Sequence, residues 1–488
     1  MEYLHLFKTK TEHDSFYGGN RYKEPWLAYI RDNTLVTSNR SYEYYRNEYL
    51  TLSALENGEI RIGIPSQVNS ACATSLSYSK DKSNWVETIV DDTDQTITIP
   101  VSGGENVYLK GEAKQWFGLD VEISMNIAVS ANFNVSGNIM SLLYDDDFKD
   151  KTTFPDESAF TFGLLFADNI YLKNAGNLIL PATTLVPYCY GAMFDGCTSL
   201  ATAPELPATT LAPYCYSGMF SGCTSLTTAP ALPATTLNTE CYGAMFEGCT
   251  SLKTAPELPA TTLDSSCYQN MFYGCTSLTT APELPATTLA SNCYEHMFQG
   301  CTSLTTAPEL PATELVLGGY NSMFQGCTSL TTAPALPAIT LADYCYDSMF
   351  YVCSSLKTAP ELQATTLAPN CCQSMFYGCT SLTTAPELPA TTLNTNCYYE
   401  MFRGCTSLTT APELPATTLQ SGCYQYMFYG CSKLNSITML ATDISASNCM
   451  RNWVNGVSST GTFTKAASMT SLSTGAHGIP VGWTVNNK

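Results

Sequence analysis

The sequence predicts a mixed fold: an N-terminal antiparallel β-sandwich, an α/β solenoid of about eleven 26-residue turns, and a C-terminal cap. Two observations support this prediction. Cysteines recur every 26 residues over most of the chain, and short alternating apolar segments fill the region before them. The predicted boundaries are 1–42 for an N-terminal segment, 43–148 for the sandwich, 149–450 for the solenoid and 451–488 for the cap.

The 26-residue repetition is the strongest signal in the 488 residues. Its consensus is CYxxMFxGCTSLTTAPELPATTLxxx, and nearly all of the 22 cysteines occupy one of its two cysteine positions. One copy is too small to bury its own apolar side chains, whereas stacked copies form a continuous core. The first set is Cys189, Cys215, Cys241, Cys267, Cys293, Cys345, Cys371, Cys397, Cys423 and Cys449, and the second is Cys197, Cys223, Cys249, Cys275, Cys301, Cys327, Cys353, Cys379, Cys405 and Cys431.

Within one copy, the spacing of apolar residues predicts a short helix followed by a short strand. Cys189, Met193 and Cys197 are four residues apart, which is the spacing of one face of a helix. The strand is predicted around 199–202, because Pro204 would interrupt a longer one.

The N-terminal third has the pattern of a β-sandwich. Six short segments with alternating apolar residues lie between about Glu43 and Met140, separated by clusters of Gly, Asn, Asp and Ser. This spacing is typical of an antiparallel sandwich of the immunoglobulin-like type. The segments are YLTLSAL, IRIGI, TSLSYS, QTITIPV, NVYLKG and FNVSGNIM.

The repeat resembles the BspA-like (Treponema-type) leucine-rich repeat family in its Met-Phe pair and in its cysteine, leucine and proline positions. The resemblance covers roughly residues 165–450. It implies a leucine-rich-repeat solenoid that serves adhesion or recognition and carries out no catalysis, so we expect no enzyme. Known members are mostly surface proteins of gut and oral bacteria, and similar arrays occur in phages of such bacteria.

Two N-terminal features resemble proteins of Bacteroides-type bacteria and their phages. The segments YLTLSALENGEIRI and FNVSGNIMSLLYDDDF are similar to the sandwich that precedes BspA-like arrays in that group. The KEPW element at 23–26 is similar to N-terminal attachment regions of virion appendage proteins of crAss-like phages. This second resemblance implies that residues 1–42 attach the chain to a particle.

The composition restricts the partners of the chain. Its net charge is −20, which argues against nucleic acid and against an anionic membrane surface. No apolar run reaches 18 residues, so we expect no membrane insertion. The N-terminal MEYLHLFKTK has no basic region followed by an apolar one, so we expect no Sec signal peptide.

Three sets of residues allow a metal or redox interpretation, and for each we favour a simpler one. The two cysteines of a copy lie two helical turns apart, so we expect buried reduced thiols and not a disulfide or metal ladder. Asp145, Asp146 and Asp147 are consistent with a metal site or with a solvated linker or helix start, and we favour the solvated linker or helix start. A glutamate row suits Ca²⁺ or is simply solvated, and its interruption by Ala231 and Ala335 favours solvation. We expect no cofactor. The row is Glu205, Glu257, Glu283, Glu309, Glu361, Glu387 and Glu413.

Comparison of the copies within this chain separates core from surface positions. The Cys, Met, Phe, Gly, Leu and Pro positions hardly vary, whereas the position after Met-Phe and those beside the Cys-Tyr pair vary freely. Exposed tyrosine offers a large contact area at a low entropy cost, which suits recognition; neutral variation is the alternative. The candidate binding residues are Tyr273, Tyr351, Tyr377, Tyr426 and Tyr429.

These features together predict a phage virion structural protein, a surface appendage of the head- or tail-fibre type. Its N-terminal region is expected to contact other virion proteins, and its array to display a surface for host glycan or protein. We expect a homo-oligomer at the virion surface. A bacterial cell-surface BspA-like adhesin, which requires an export signal, is the alternative. A glycan-processing enzyme has no motif in its favour.

Overall fold

The structure is a computed structural model that describes the chain in seven ranges. Strands β1 (Trp26–Arg31) and β2 (Thr34–Asn39) form an antiparallel pair. The KEPW element lies outside the described residues, apart from Trp26, which begins β1. The described ranges are 26–31, 34–39, 44–64, 73–90, 95–113, 125–155 and 160–488.

In the described ranges from residue 44 to residue 138, further strands form two sheets. They are β3 (Leu50–Ala54), β4 (Gly58–Ile64), β5 (Ala73–Ser79), β6 (Val86–Ile89), β7 (Gln95–Val101), β8 (Asn106–Ala113), β9 (Asn126–Val129) and β10 (Phe133–Asn138). One sheet contains β10, β3, β8, β5 and β6 side by side, and the other contains β7, β4 and β9. All six segments predicted as strands are strands. The unpredicted β6 and β9 have only 4 residues each.

The two sheets share one apolar core because their strands alternate. In β4, Ile60, Ile62 and Ile64 are buried, and the residues between them are not. Leu50 and Leu52 of β3 belong to the same cluster of buried side chains. Alternation directs one face of each strand inward, which is the arrangement that the sequence pattern predicted. The immunoglobulin-like topology stays a prediction.

A short connection with three consecutive aspartates follows β10. It consists of α1 (Ser141–Tyr144) and a 3-10 helix (Asp145–Asp147). The Lys110 ammonium lies 3.0 Å from a carboxylate oxygen of Asp145 and 2.9 Å from one of Asp146. The Tyr49 hydroxyl donates to Asp146 at 2.6 Å, and this bond and the lysine lower the pKa of Asp146. The aspartates therefore form a short helix that an ion pair fixes to the sheet.

Strand β11 (Leu172–Ile179) joins the N-terminal sheet to the repeats. It pairs in parallel with β10, with Asn138 opposite Ile179. On its other side, Asn174 forms a parallel bridge with Thr202 of the next copy. The order of the sheet is thus β11-β10-β3-β8-β5-β6, and its hydrogen bonding continues directly into the repeats.

The segment from Cys189 to Cys197 is a series of tight turns, so the prediction of a helix was wrong. The Cys197 amide donates to the Phe194 carbonyl at 3.1 Å, whereas the Phe194 amide donates to the Met219 carbonyl of the next copy at 2.9 Å. Ala192 has a left-handed backbone with φ 50°, which interrupts a right-handed helix. Alternate amides therefore join neighbouring copies instead of forming helical bonds.

The strand predicted around 199–202 is reduced to single bridged residues in most copies. Thr254 bridges in parallel to Thr280, and the equivalent threonines of other copies do the same. Proline has no amide hydrogen, which limits pairing in the copies that contain Ala-Pro-Glu-Leu-Pro. Longer parallel pairing appears at the C-terminal end of the array. The strands there are, in sheet order, β12 (Thr410–Leu414), β13 (Ser436–Met439), β14 (Thr462–Lys465) and β15 (Thr484–Asn487). The last three contain no proline, whereas β12 contains Pro412 and its register against β13 is irregular between Thr410 and Glu413.

Buried aromatic rings stack from copy to copy inside the array. The Phe220 and Phe246 ring centroids are 5.7 Å apart with planes 7° apart. Trp453 continues the buried tyrosine column, with its ring 6.3 Å from that of Tyr424. All cysteines in the described ranges are free and buried, as predicted; Cys72 lies outside those ranges. The number of eleven turns, the cap and the domain boundaries stay predictions.

Candidate recognition surface

Three variable positions of each copy form one partly exposed surface, which we name the turn face. They are the second, third and sixth residues after the first cysteine, represented by Gly191, Ala192 and Asp195, and they recur every 26 residues. Met193 and Phe194, which lie between them, are buried in the core. The turns therefore direct the conserved pair inward and the variable side chains outward.

The third residue after the first cysteine of a copy has a left-handed backbone even where its side chain is large. Glu400 has φ 54° and Tyr426 has φ 56°. Such a conformation is uncommon for residues other than glycine, asparagine and aspartate, and strain of this kind concentrates at functional sites. The hydrogen bonds between copies hold these residues in place, as with the Glu400 amide, which donates to the Gln425 carbonyl at 2.9 Å.

On the turn face, three tyrosine rings surround the side chain of one arginine. The Arg403 guanidinium carbon lies 4.8 Å from the Tyr429 ring centroid, 5.4 Å from that of Tyr377 and 5.5 Å from that of Tyr426. Tyr377 also stacks on Tyr351, with centroids 4.5 Å apart and planes 13° apart. We name this group the Arg403 cluster; its members are Tyr351, Tyr377, Tyr399, Glu400, Arg403, Tyr426 and Tyr429.

An ion pair fixes the cation of the Arg403 cluster. The Arg403 Nη1 donates to Glu400 Oε1 at 2.6 Å, and the two side chains are 32% and 14% exposed. Burial is the largest single influence on the pKa of Arg403 and lowers it, but the hydrogen bond and charge of Glu400 together with the neighbouring tyrosines outweigh burial and raise that pKa. Burial and the neighbouring Tyr377 raise the pKa of Tyr351. The cluster is thus a charged guanidinium held among tyrosine rings.

The structure brings four of the five predicted binding residues together and leaves Tyr273 apart. Tyr273 is 38% exposed and lies three copies before Tyr351. The binding residues predicted from the sequence do not include Arg403, Glu400 or Tyr399. The sequence did contain a signal for Arg403. Residues 26 apart occupy equivalent positions in adjacent copies, so Arg403 lies between Tyr377 and Tyr429. The four residues that meet are Tyr351, Tyr377, Tyr426 and Tyr429.

A second aromatic group lies at the N-terminal end of the array, one position before the first cysteine of each copy. The Phe160 and Tyr188 ring centroids are 4.1 Å apart, and those of Tyr188 and Tyr214 are 4.5 Å apart. Glu240 occupies the same position in the following copy, and burial raises its pKa. This row lies beside the turn face and contains none of the predicted residues.

A polar group occupies the turn face between Tyr273 and the Arg403 cluster. Glu295 accepts a hydrogen bond from Gln269 at 2.7 Å, and the His296 ring lies 3.4 Å from its carboxylate. The bond to Glu295 raises the pKa of His296. Asp347 accepts from the Ser348 hydroxyl at 2.8 Å, and burial raises the pKa of Asp347 to about 6. Asp347 therefore changes its charge close to neutral pH.

The cysteines have a packing role. Cys223 Sγ donates to the Phe194 carbonyl at 3.2 Å, and the same contact recurs between other copies. Burial raises the pKa of Cys197 to about 12, and a thiol that ionises so poorly is a weak nucleophile and metal ligand. In the described ranges, no three His, Cys, Asp or Glu side chains are grouped as metal ligands. Glu257 and Glu283 line a proline-rich groove of about 480 Å³.

The comparison with protein families identifies the repeats. A family model for the BspA type leucine rich repeat region matches in 6 copies, over residues 172–305, 244–366 and 346–453. These ranges cover more than half of the chain. No curated protein sequence matches it. In the part of the chain that the structure describes, no helix has the length and apolar character needed to cross a bilayer. The chain belongs to the family of proteins with a BspA type leucine rich repeat region.

Proposed function

We propose that the chain is a surface adhesion protein that binds its target through the turn face, with the Arg403 cluster at the centre. The observation that carries the proposal is the Arg403 guanidinium, held against three tyrosine rings and paired with Glu400. Tyrosine and arginine dominate the binding energy of many protein surfaces. Side chains that are already fixed lose little entropy on binding, so this cluster is well suited to recognition.

The charge of the array supports a neutral or cationic target. Between residues 178 and 434, four Lys or Arg stand against sixteen Asp or Glu. Polyanions such as nucleic acids are repelled by such a surface. A glycan or a protein on a host surface fits this electrostatic character.

We further propose that the repeats form a solenoid of about eleven turns that projects from a phage virion, as an appendage of the head- or tail-fibre type. The resemblance of the N-terminal region to virion appendage proteins supports this location. The N-terminal region would then contact other virion proteins, and the appendage would be a homo-oligomer. A bacterial cell-surface adhesin is the second candidate, and the family match is compatible with it.

Sedimentation distinguishes the two locations. An infected culture is separated by density gradient into phage particles and outer membranes, and an antibody against the chain is used to detect it. We expect the chain to sediment with the particles. Association with outer membranes in uninfected cells would instead support the bacterial adhesin.

Binding to host cells tests the Arg403 cluster. We expect Arg403→Ala and Tyr377→Ala to weaken binding by about tenfold or more, as for central residues of an interface. Tyr273→Ala is the matched control, because Tyr273 lies on the same face outside the cluster. A thermal melt of each variant establishes that it is folded. An equal loss for all three variants would contradict the proposal.

A further inference from the structure

The last copy of the array has no copy after it to accept its hydrogen bonds. In the copy before, the Gly422 amide donates to the Ser447 carbonyl at 3.0 Å and the Tyr424 amide to the Cys449 carbonyl at 2.9 Å. The equivalent amides of the last copy belong to Asn448 and Met450. Among the residues that the structure describes, no backbone carbonyl accepts from either of these two amides. Both amides therefore lack the carbonyl partner that their equivalents have in the preceding copies.

The C-terminal segment covers only part of this end. The Asn452 amide donates to His477 Nδ1 at 2.9 Å, and the Trp453 indole donates to the Gly478 carbonyl at 2.9 Å. Where this coverage stops, an open pocket of about 410 Å³ remains. Its lining includes Asn448 and Met450, and it also includes Ile444, Ala446, Arg451 and His477.

Two basic side chains distinguish this pocket from the acidic array. Arg451 is the second residue after Cys449, the first cysteine of the last copy. No other copy has a cation at this position, and two copies have an acidic residue there, Glu295 and Asp347. His477 Nδ1 accepts a hydrogen bond from the Asn452 amide, so Nε2 is the ring nitrogen that remains for a ligand. Parallel amides beside a guanidinium form a favourable environment for an anion. A carbonyl oxygen accepts from the equivalent amides in the preceding copies, so a ligand with acceptor oxygens suits this position.

We propose that this pocket binds a small carboxylate. The carboxylate oxygens accept from the Asn448 and Met450 amides and from the Arg451 guanidinium, and the apolar part of the ligand packs on Ile444 and Ala446. This site is independent of the Arg403 cluster and of the proposed adhesion function. Two sources have the required chemistry, the terminal carboxylate of a polypeptide and the carboxylate of an acidic sugar.

Isothermal titration of the full chain tests the proposal. The probes are N-acetyl-L-leucine and D-glucuronate, and the neutral controls are N-acetyl-L-leucinamide and D-glucose. We expect at least one carboxylate to bind about tenfold or more tightly than its neutral counterpart, because charge-assisted bonds are the stronger ones. Tighter binding of the acetylated amino acid assigns the site to a polypeptide terminus, and tighter binding of glucuronate assigns it to an acidic sugar.

Two matched arginine variants complete the test. Arg451→Gln should weaken carboxylate binding by about tenfold or more, since a bidentate guanidinium contact is lost. Arg61→Gln makes the same change of charge at an exposed position of β4, outside both proposed sites, and should leave the affinity within about twofold. Absence of binding by both carboxylates at about 10 mM, equal binding of the neutral controls, or an equal loss in both variants would overturn the proposal.

Discussion

Replacing Asp347 by asparagine should stabilise the array at alkaline pH and have little effect at acid pH. Burial raises the pKa of Asp347 from 3.8 to about 6, and the Ser348 hydroxyl and the His296 ring offset this effect only in part. A folded-state pKa above the unfolded value means that the folded chain binds the proton more tightly, so stability falls as the pH rises from about 4 to about 6. The lost stability amounts to about 3 kcal/mol above pH 7 and to about 0.5 kcal/mol at pH 4. Asparagine keeps the shape without the charge and should recover most of this cost.

Urea unfolding followed by far-ultraviolet circular dichroism, at pH 4 and at pH 8, measures this effect. We expect Asp347→Asn to raise the free energy of unfolding at pH 8 by up to about 3 kcal/mol, and by less than about 1 kcal/mol at pH 4. Asp343→Asn, at an exposed position four residues before Asp347, is the control and should change little at either pH. A gain of equal size at both pH values, or a loss at pH 8, would refute the reasoning.

Three further predictions concern single positions within the copies. Val352 has φ 57° at a position where the neighbouring copies have glycine, so Val352→Gly should raise the free energy of unfolding by about 1 kcal/mol in a thermal melt. A loss of stability would show that its side chain contributes more by packing than the strained backbone costs. The Tyr216 hydroxyl is buried without a partner among the described residues, so Tyr216→Phe should also stabilise, by about 1 kcal/mol in urea unfolding. Destabilisation would mean that the hydroxyl is hydrogen-bonded in solution. The Cys223 thiol is buried and its pKa is raised by burial, so a thiol reagent should label it only after unfolding. Rapid labelling of the native chain at Cys223, located by mass spectrometry, would contradict this expectation.

The helix prediction failed for a reason that lies in the spacing of the residues. Left-handed residues recur at Tyr188, Ala192 and Gly196, so the chain turns once every four residues. Such a chain places Cys189 and Met193 on one side, as a helix does. Periodicity therefore cannot distinguish the two structures. Residue type gives little help either, because alanine and tyrosine are ordinary in helices and rare in the left-handed conformation.

The N-terminal strands and the columns of the array were predictable because both depend on simple periods. Alternation fixes which face of a strand is buried, and it is absent from β6 (Val86–Ile89), which has no buried residue, and from β11, which joins the sheet to the repeats. The 26-residue period places Tyr351 beside Tyr377. It does not show that Tyr426, from a different column, also reaches Arg403, because this depends on side-chain conformation. Selecting candidates by residue type alone also left out Glu400, which fixes the guanidinium.

Along each turn segment, successive amides bond alternately within their own copy and to the next copy. This pattern limits how the length of the array can change through insertion or deletion in the gene. Each interior copy presents the same amides and carbonyls to its neighbour, as the Phe220 amide does to the Met245 carbonyl at 2.9 Å. Insertion or loss of one whole 26-residue unit recreates an identical junction, whereas a change by part of a unit places donors opposite donors. Recombination between copies can therefore lengthen or shorten the array in whole steps, and relatives of this chain should differ in reach by multiples of one copy.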